Sequence, residues 1–393
     1  MQLTQELAQE IVEKTKEIIK FNINIFDDTG YIIASGQKER LNTFHEGAYE
    51  VIGSGISDEF SIEKAKKYKG VQPGILYPIQ FNDKIIGVVG MSGDPEEVRN
   101  YGALVKMTTE MMLRQDFLTN QLRAEKGAQN NFIKNLALGQ FGEDLELFIE
   151  RGKNLGIDVL LSRQVIIIEL LKMPEFKENL SDLLQKQIYR DEVLKILEKH
   201  YDHDEDLILS MGNVRFLILK RINNQVKNTS SIKTDLGILI DSLRKKGFDA
   251  RVGIGSSQIH WLNLKISYQE ASDALFLGER MESTSNILHI EDLLLERTLN
   301  SIDDLMKKNI INSFLGATQN LDSKYWNEME KTLGALFDSN LNVSEAAKKL
   351  FLHRNSLTYR LNKITEQTGL DPLSFYDAVK LYVCLKINKL EER

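Results

Sequence analysis

The stretch from Glu96 to about Ala124 constrains this chain most. Behind Asp94-Pro95, the residues Val98, Tyr101, Leu104, Val105, Met111, Met112, Leu118 and Leu122 recur at threes and fours, the pattern of one long amphipathic helix. At about 1.5 Å per residue it is a rod on the order of 40 Å long. A rod of that length, leaving a small domain, packs against a copy of itself or serves as a connecting helix, and the pattern leaves both open. It also partitions the chain, because 393 residues exceed one typical core and predict two or three domains.

The pattern differs on the two sides of the rod. The first twenty residues carry Leu3, Leu7, Ile11 and Ile18 at helical spacing with charges throughout, an amphipathic helix rather than a signal peptide. Strand-like runs follow at Asn22 to Phe26 and Tyr31 to Ala34, joined by the turn Asp27-Asp28-Thr29-Gly30. A second pair, Ile75 to Phe81 and Ile85 to Met91, turns at Asn82-Asp83. Between the pairs lie a helical stretch around Phe44 to Ile52 and a charged segment, Glu59 to Lys69. Beyond the rod, Val165 to Leu170, the hairpin Leu207 to Ser210 and Arg215 to Leu219, and Ala250 to Ile254 read as strands. Helices between them, one from about Ser267 to Arg280, make an α/β domain. From about Ile290 the pattern is wholly helical.

Composition excludes several classes. A hydrophobic content of 42% and a charged content of 27% are those of a folded globular chain. Cys384 is the single cysteine and sits in an apolar run, which rules out a disulfide framework or cysteine zinc cluster and predicts a buried thiol. No stretch of eighteen uncharged apolar residues occurs, so the expected location is the cytoplasm with no membrane contact. The net charge of −7 leaves room for a small basic face.

Such a face lies near the C-terminus. Asn342-Val343-Ser344-Glu345-Ala346-Ala347-Lys348-Lys349-Leu350 reads as a slim helix with Ser344 as its N-cap. After a break at Phe351-Leu352-His353, a second helix begins at Arg354, and Leu357, Leu361 and Ile364 give it one buried face. Asn355, Tyr359 and Asn362 point directly away from that face, with Thr358 and Lys363 flanking and Arg354 and Arg360 at its borders. Between Asn342 and Lys363 five cations face Glu345 alone. A recognition helix needs short polar side chains for base edges and long cations for phosphates. The candidate DNA contacts are Arg354, Asn355, Thr358, Tyr359, Arg360 and Lys363, and the partner is double-stranded DNA. An ordinary helical hairpin with a solvated basic face is the competing reading.

At these residues the chain resembles a known family. Asn342 to Ile364, with the turn Gly369-Leu370-Asp371-Pro372, resembles the C-terminal helix-turn-helix of the PucR and carbohydrate diacid regulator group. The first third resembles that group's sugar-diacid recognition domain at Asn22 to Ile25, Ile33-Ala34-Ser35, Arg40 with His45 to Ala48, Gly70 to Gly74, and Gly90 to Pro95. The middle is similar to the degenerate GGDEF-like module that joins the two. The resemblance implies a multidomain α+β chain. Residues 1–130 form an antiparallel-sheet sensor with the connecting helix 96–124, residues 131–295 a GGDEF-like α/β domain, and residues 296–393 an all-α DNA-binding domain. It also implies a ligand-responsive regulator, an activator of genes for uptake and breakdown of a sugar-derived acid such as glycerate, glucarate or galactarate. That regulator would act as a homodimer or higher homo-oligomer. Leu76 replaces a usual polar Asn, and Asn42 a usual glycine.

A hydroxy acid requires a fixed cation and convergent donors, because an unpaired buried carboxylate is prohibitively costly. Arg40 and His45 can supply charge or donors and Ser35 a hydroxyl. The Pro73-Gly74 and Ser92-Gly93 turns can aim backbone N–H groups at an anion. Enzyme readings have less to stand on. The alternative of another class is a nucleotide-binding or nucleotide cyclase enzyme carried by the middle domain; an active domain of that type carries Gly-Gly-Asp-Glu-Phe in its hairpin, whereas Met211-Gly212-Asn213-Val214-Arg215-Phe216 has neither carboxylate. Glu169 alone cannot replace them as metal ligands. The acidic run His200-Tyr201-Asp202-His203-Asp204-Glu205-Asp206 reads as a solvated turn rather than a metal site. Gly253-Ile254-Gly255 is too short for a dinucleotide fingerprint. No catalytic residues, cofactor or metal are expected. A purine-catabolism type regulator sharing only the DNA-binding end is the alternative, and it requires the N-terminal matches to be accidental.

Overall fold

The computed structural model describes residues 3–16, 19–69, 71–174, 182–201, 205–222, 229–315 and 323–391. Its contacts divide the chain into two compact units, Met1–Ala128 and Gln129–Arg393. Ile18, Gly70 and 202–204 of the acidic run, with its His203, lie outside the described residues.

In the first unit α1 (Gln5–Lys16) precedes β1 (Asn22–Phe26) and β2 (Ile32–Ser35). Then come α2 (Glu46–Ser54), β3 (Asp58–Phe60), the single turn α3 (Ile62–Ala65), β4 (Gly74–Phe81), β5 (Lys84–Ser92) and the long α4 (Pro95–Leu138). Among the described residues the strands form one five-stranded antiparallel sheet in the order β2-β1-β5-β4-β3. Local chemistry sets both hairpins. Asp27 Oδ1 accepts from the N–H groups of Thr29 and Tyr31, and Asn82 and Asp83 take φ values of 48° and 62°, the mirror-image turn whose twist suits adjacent strands.

Strand alternation then separates two cores. Ile23 and Ile25 of β1, Ile75 and Ile79 of β4, and Val89 and Met91 of β5 pack with Ile11 of α1 and Val98 and Val105 of α4. Phe26, Leu76 and Val88, on the opposite face, pack with Ala48 and Val51 of α2 and with Phe60. β3 was not visible in the charged segment because it is a three-residue edge strand whose Asp58 and Glu59 are held by Lys64 and Arg99. Edge strands carry charge without the apolar alternation that betrays a strand.

The long helix ends at Leu138, not near Ala124. Residues 122–129 are exposed on every side, so no apolar periodicity marks this stretch and Gly127 argues locally against helix. The helix regains a buried face at Phe132, Ile133 and Leu136.

In the second unit α5 (Leu145–Asn154), β6 (Arg163–Lys172), α6 (Asp182–His200), β7 (Leu207–Ser210), β8 (Arg215–Arg221), α7 (Thr229–Arg244), β9 (Asp249–Gln258), α8 (Leu264–Arg280) and β10 (Ile287–His289) form an α/β layer structure. Its described sheet runs β10-β9-β6-β8-β7. Phe132, Phe148, Leu264 and Leu275 cover one face, while Val193, Leu197, Leu236 and Leu243 cover the other. The remaining helices are α9 (Leu294–Ser301), α10 (Asp304–Leu315), α11 (Ser323–Phe337), α12 (Val343–Lys349), α13 (Arg354–Thr368) and α14 (Phe375–Glu391). Leu333, Ala346, Ala347, Leu357, Leu361, Ile364 and Leu381 share their core with Cys384, whose thiol burial pushes up to about 12, so it stays protonated. The described chain is mixed α/β, with an antiparallel sheet first, a GGDEF-like region in the middle and a helical end.

Candidate functional site

In the first unit, one line across the sheet forms the floor of a cavity. Register pairs Asn24 with Gly90, Gly90 with Leu76, and Ser92 with Gly74, so these residues, with Phe26, share the α2 face. Gly90 leaves room for its neighbours: a Cβ there would lie 2.7 Å from Leu76 Cδ2 and 2.9 Å from Phe26 Cε2 and would push both side chains aside. Arg40, His45, Phe60 and Gln72, with Ile75 and Met91, complete the lining. The free space between them is about 10 Å³, room for one water molecule.

Each polar group here has a defined state. His45 is the N-cap of α2, and its Nδ1 accepts from the Ala48 N–H at 3.1 Å. That bond leaves the proton on Nε2. Burial first, then the charge of Arg40, lowers its pKa to about 4. His45 therefore offers a neutral N–H donor and no charge. Arg40 supplies the cation, its Nη1 donating to Gln72 Oε1 at 3.0 Å. Ser92 Oγ donates to the same oxygen at 3.4 Å. Asn24 Oδ1 accepts from Ser35 Oγ at 2.6 Å and from Asn22 Nδ2 at 3.2 Å, which leaves the Asn24 amide N–H groups as its remaining donors.

The expected site residues are only partly gathered. Arg40, His45, Gly74 and Ser92 meet at the cavity. Ser35 stands behind Asn24 and also accepts from the Gln37 N–H at 3.0 Å. Pro73 and Gly93 line an adjoining open cleft of about 790 Å³ with Gln72 and Ser92. The Gly93 N–H is spent on the Pro73 carbonyl at 3.0 Å, and a Cβ at Gly74 would fall 2.1 Å from the Met91 carbonyl oxygen. Close strand approach accounts for that glycine without an anion. Asn24, Gln72, Phe26 and Phe60 were not anticipated in the lining. A polar residue alternating between the isoleucines of β1 was the available signal for Asn24. Asn42 sits at φ 60°, a left-handed conformation that Asn tolerates, so the backbone geometry survives loss of the usual glycine.

At the other end, α12 and α13 form the helix-turn-helix. Asn342, not Ser344, caps α12: its side chain accepts from the Ser344 and Glu345 N–H groups at 3.0 and 3.2 Å. Phe351, at φ 54°, makes the turn, and His353 Nδ1 caps α13 through the Asn355 N–H at 3.3 Å. Leu357, Leu361 and Ile364 are buried. Arg354, Asn355, Thr358, Tyr359 and Lys363 are exposed. Arg360 instead pairs with Glu328 of α11 at 3.0 Å, beside a groove of about 420 Å³ that Asn355, Tyr359 and Lys363 also line. Lys349 donates to the Asp338 carbonyl at 2.8 Å. Arg354 and Thr358 lie outside that groove.

In the middle region, Glu169 lies opposite Arg215 and pairs with it at 2.7 Å. No group of three or more metal-ligating side chains occurs among the described residues, and none of their helices is long and apolar enough to cross a membrane.

Comparison with known proteins agrees with this organisation. Residues 3–136 match the sugar diacid recognition family, 139–277 the GGDEF-like domain, and 329–387 the PucR C-terminal helix-turn-helix domain. The carbohydrate diacid regulator of Escherichia coli (strain K12) is 31% identical over 100% of this chain and 99% of its own length. YsfB of Bacillus subtilis (strain 168), an uncharacterized protein, is 25% identical over 96% of each chain. The purine catabolism regulatory protein of the same organism is 22% identical over 97% of this chain and 71% of its own, so the likeness to that regulator is not confined to the DNA-binding end. By full-length similarity and by the order of its three domains, the chain belongs to the carbohydrate diacid regulator family and is a DNA-binding transcription regulator.

Proposed function

We propose that the chain is a cytoplasmic, homodimeric activator that binds a small hydroxy acid in the first unit and controls genes for that acid's uptake and breakdown. The observation that carries this is the lining of the cavity: a guanidinium, an imidazole N–H, an amide and a hydroxyl converge with no acidic side chain among them. Such a set suits a carboxylate with neighbouring hydroxyls. Gln72 Oε1, accepting from both Arg40 and Ser92, occupies the position a carboxylate oxygen would take. A ligand therefore displaces Gln72 and opens the cavity into the adjoining cleft. That cleft ends at Asp94 and Pro95, where α4 begins, so ligand entry acts at the root of the long helix. Phe26, Phe60 and Leu76 leave few polar partners on the floor, which favours three-carbon glycerate over six-carbon glucarate or galactarate. The middle region, its Glu169 committed to Arg215, serves as a transmission module without turnover.

A ligand that binds only the folded sensor raises its melting temperature once its concentration exceeds the dissociation constant. Thermal shift across glycerate, glycolate, glucarate and galactarate is the test, with Arg40→Ala as control. Stabilisation of the wild type by glycerate and its loss in the variant is the expected result. An equal response in Arg40→Ala, or none in the wild type, would overturn the assignment.

A further inference from the structure

The long helix has a second apolar stripe that the sheet does not use. Val98, Val105 and Leu113 are buried against the sheet. About 130° around the helix, at 100° per residue, lie Leu104, Thr108, Met111, Gln115, Leu118 and Leu122. Their spacing alternates four, three, four, three, four, the a/d rhythm of a heptad repeat. The four apolar members are between 50% and 64% exposed.

We infer that this stripe is the seam of a parallel, in-register, two-stranded coiled coil with a second copy of the chain. This rests on the homodimeric reading above and names its interface. Three features select the partner and the orientation. First, the polar layers tolerate self-pairing: in register, Gln115 meets its own copy and each amide can both donate and accept, while the Thr108 hydroxyl is already satisfied by the Leu104 carbonyl of its own helix at 2.9 Å. Second, an antiparallel pair centred on the stripe would set Gln115 against Met111, burying its amide without a partner, which is costly. Third, the flanking positions are Met107, Arg114 and Gln121 on one side and Met112, Thr119 and Lys126 on the other. Parallel pairing joins Met107 to Met112, Arg114 to Thr119 and Gln121 to Lys126, with no like charges facing. The seam keeps a strict seven-residue repeat from Leu104 through Met111 to Leu118, so the pair supercoils left-handedly.

The test uses full-length protein, whose native Cys384 is buried and supplies the background. Leu118→Cys is expected to form an intermolecular disulfide on mild oxidation, while Asn120→Cys, on the opposite side of the helix, does not. Leu118→Asp is expected to raise the dimer dissociation constant about a hundredfold in sedimentation with an unchanged circular dichroism spectrum, because the position is exposed in the single chain. Cross-linking only between Leu104→Cys and Leu122→Cys in a mixture would mean an antiparallel pair and overturn the inference. A dimer that survives Leu118→Asp without cross-linking at Leu118→Cys would place dimerisation elsewhere, overturning the seam while leaving the homodimeric regulator standing. A monomeric wild type would overturn both.

Discussion

The cavity of the first unit and the exposed face of α13 are built by opposite strategies. The candidate DNA contacts all come from one helix, α13, and all but the half-buried Arg360 are exposed. The cavity takes its lining from β1, β4 and β5, the segment carrying Arg40 and His45, the short β3 and the loop before β4. A contiguous surface needs only its own helical period to be displayed. A cavity exists only once the sheet register has aligned Asn24, Gly90 and Leu76. The surroundings differ as well: burial strips His45 of its charge, whereas Arg354 lies exposed on the surface.

The largest expected effect probes the frame beneath the recognition helix. Leu361→Ala removes a fully packed side chain and should cost about 2–5 kcal/mol. It should appear as an earlier denaturant transition of the C-terminal helices and loss of promoter binding, with the glycerate response retained. Loss of that response as well would mean that the two regions are not energetically separate.

The next concerns pH. The folded pKa of His45, near 4, lies below its ordinary 6.5, so the unfolded chain binds more protons between those values. The stability contributed is fully present above pH 6.5 and lost as pH falls towards 4, about 3 kcal/mol over the whole window. His289, whose pKa burial also lowers, adds in the same direction. The difference between wild type and His45→Asn, which retains a capping side chain, therefore isolates the term in melting curves. Parallel curves would show that His45 is not held neutral.

Effects of about 1–3 kcal/mol sharpen the contrast between the two sites. Gly90→Val should overpack the cavity floor by that amount and abolish stabilisation by the acid without changing DNA affinity. Asn355→Ala should cost a similar amount at one base position and leave the acid response alone. Arg354→Ala should weaken all sequences evenly and lower the salt slope by about one. Any cross-effect of Gly90→Val on ligand-free DNA binding would break the comparison.

The smallest effect is at Asn42. Forcing Ala into its left-handed conformation should cost about 1 kcal/mol and Gly should be near neutral, both read as changes in melting temperature. Equal costs for the two would remove the backbone explanation for Asn at this position.

Eight of the ten described strands, the buried face of α13 and the polar surface opposite it were legible in the residues, because each is written in local period and turn chemistry; β3 and β10, three residues each, were not. Asn342 rather than Ser344 as the cap was a miss of two residues, within reach of the same chemistry. The continuation of α4 to Leu138 was not legible, since a helix exposed on every side leaves no apolar trace. The partners of Arg360 and Ser35 were beyond local reading altogether: Glu328 lies on another helix and Asn24 on another strand.

By itself the sequence determined the family, the order of its three matched regions, and which helix carries the exposed polar and basic face, because motif and amphipathic period are properties of contiguous residues. Tertiary structure alone decided which polar groups share the cavity, that His45 is a donor and Arg40 the cation, and that Gln72 bridges Arg40 and Ser92. Those are consequences of register and burial, which bring together side chains far apart in the chain and remove the water that would otherwise set their charge.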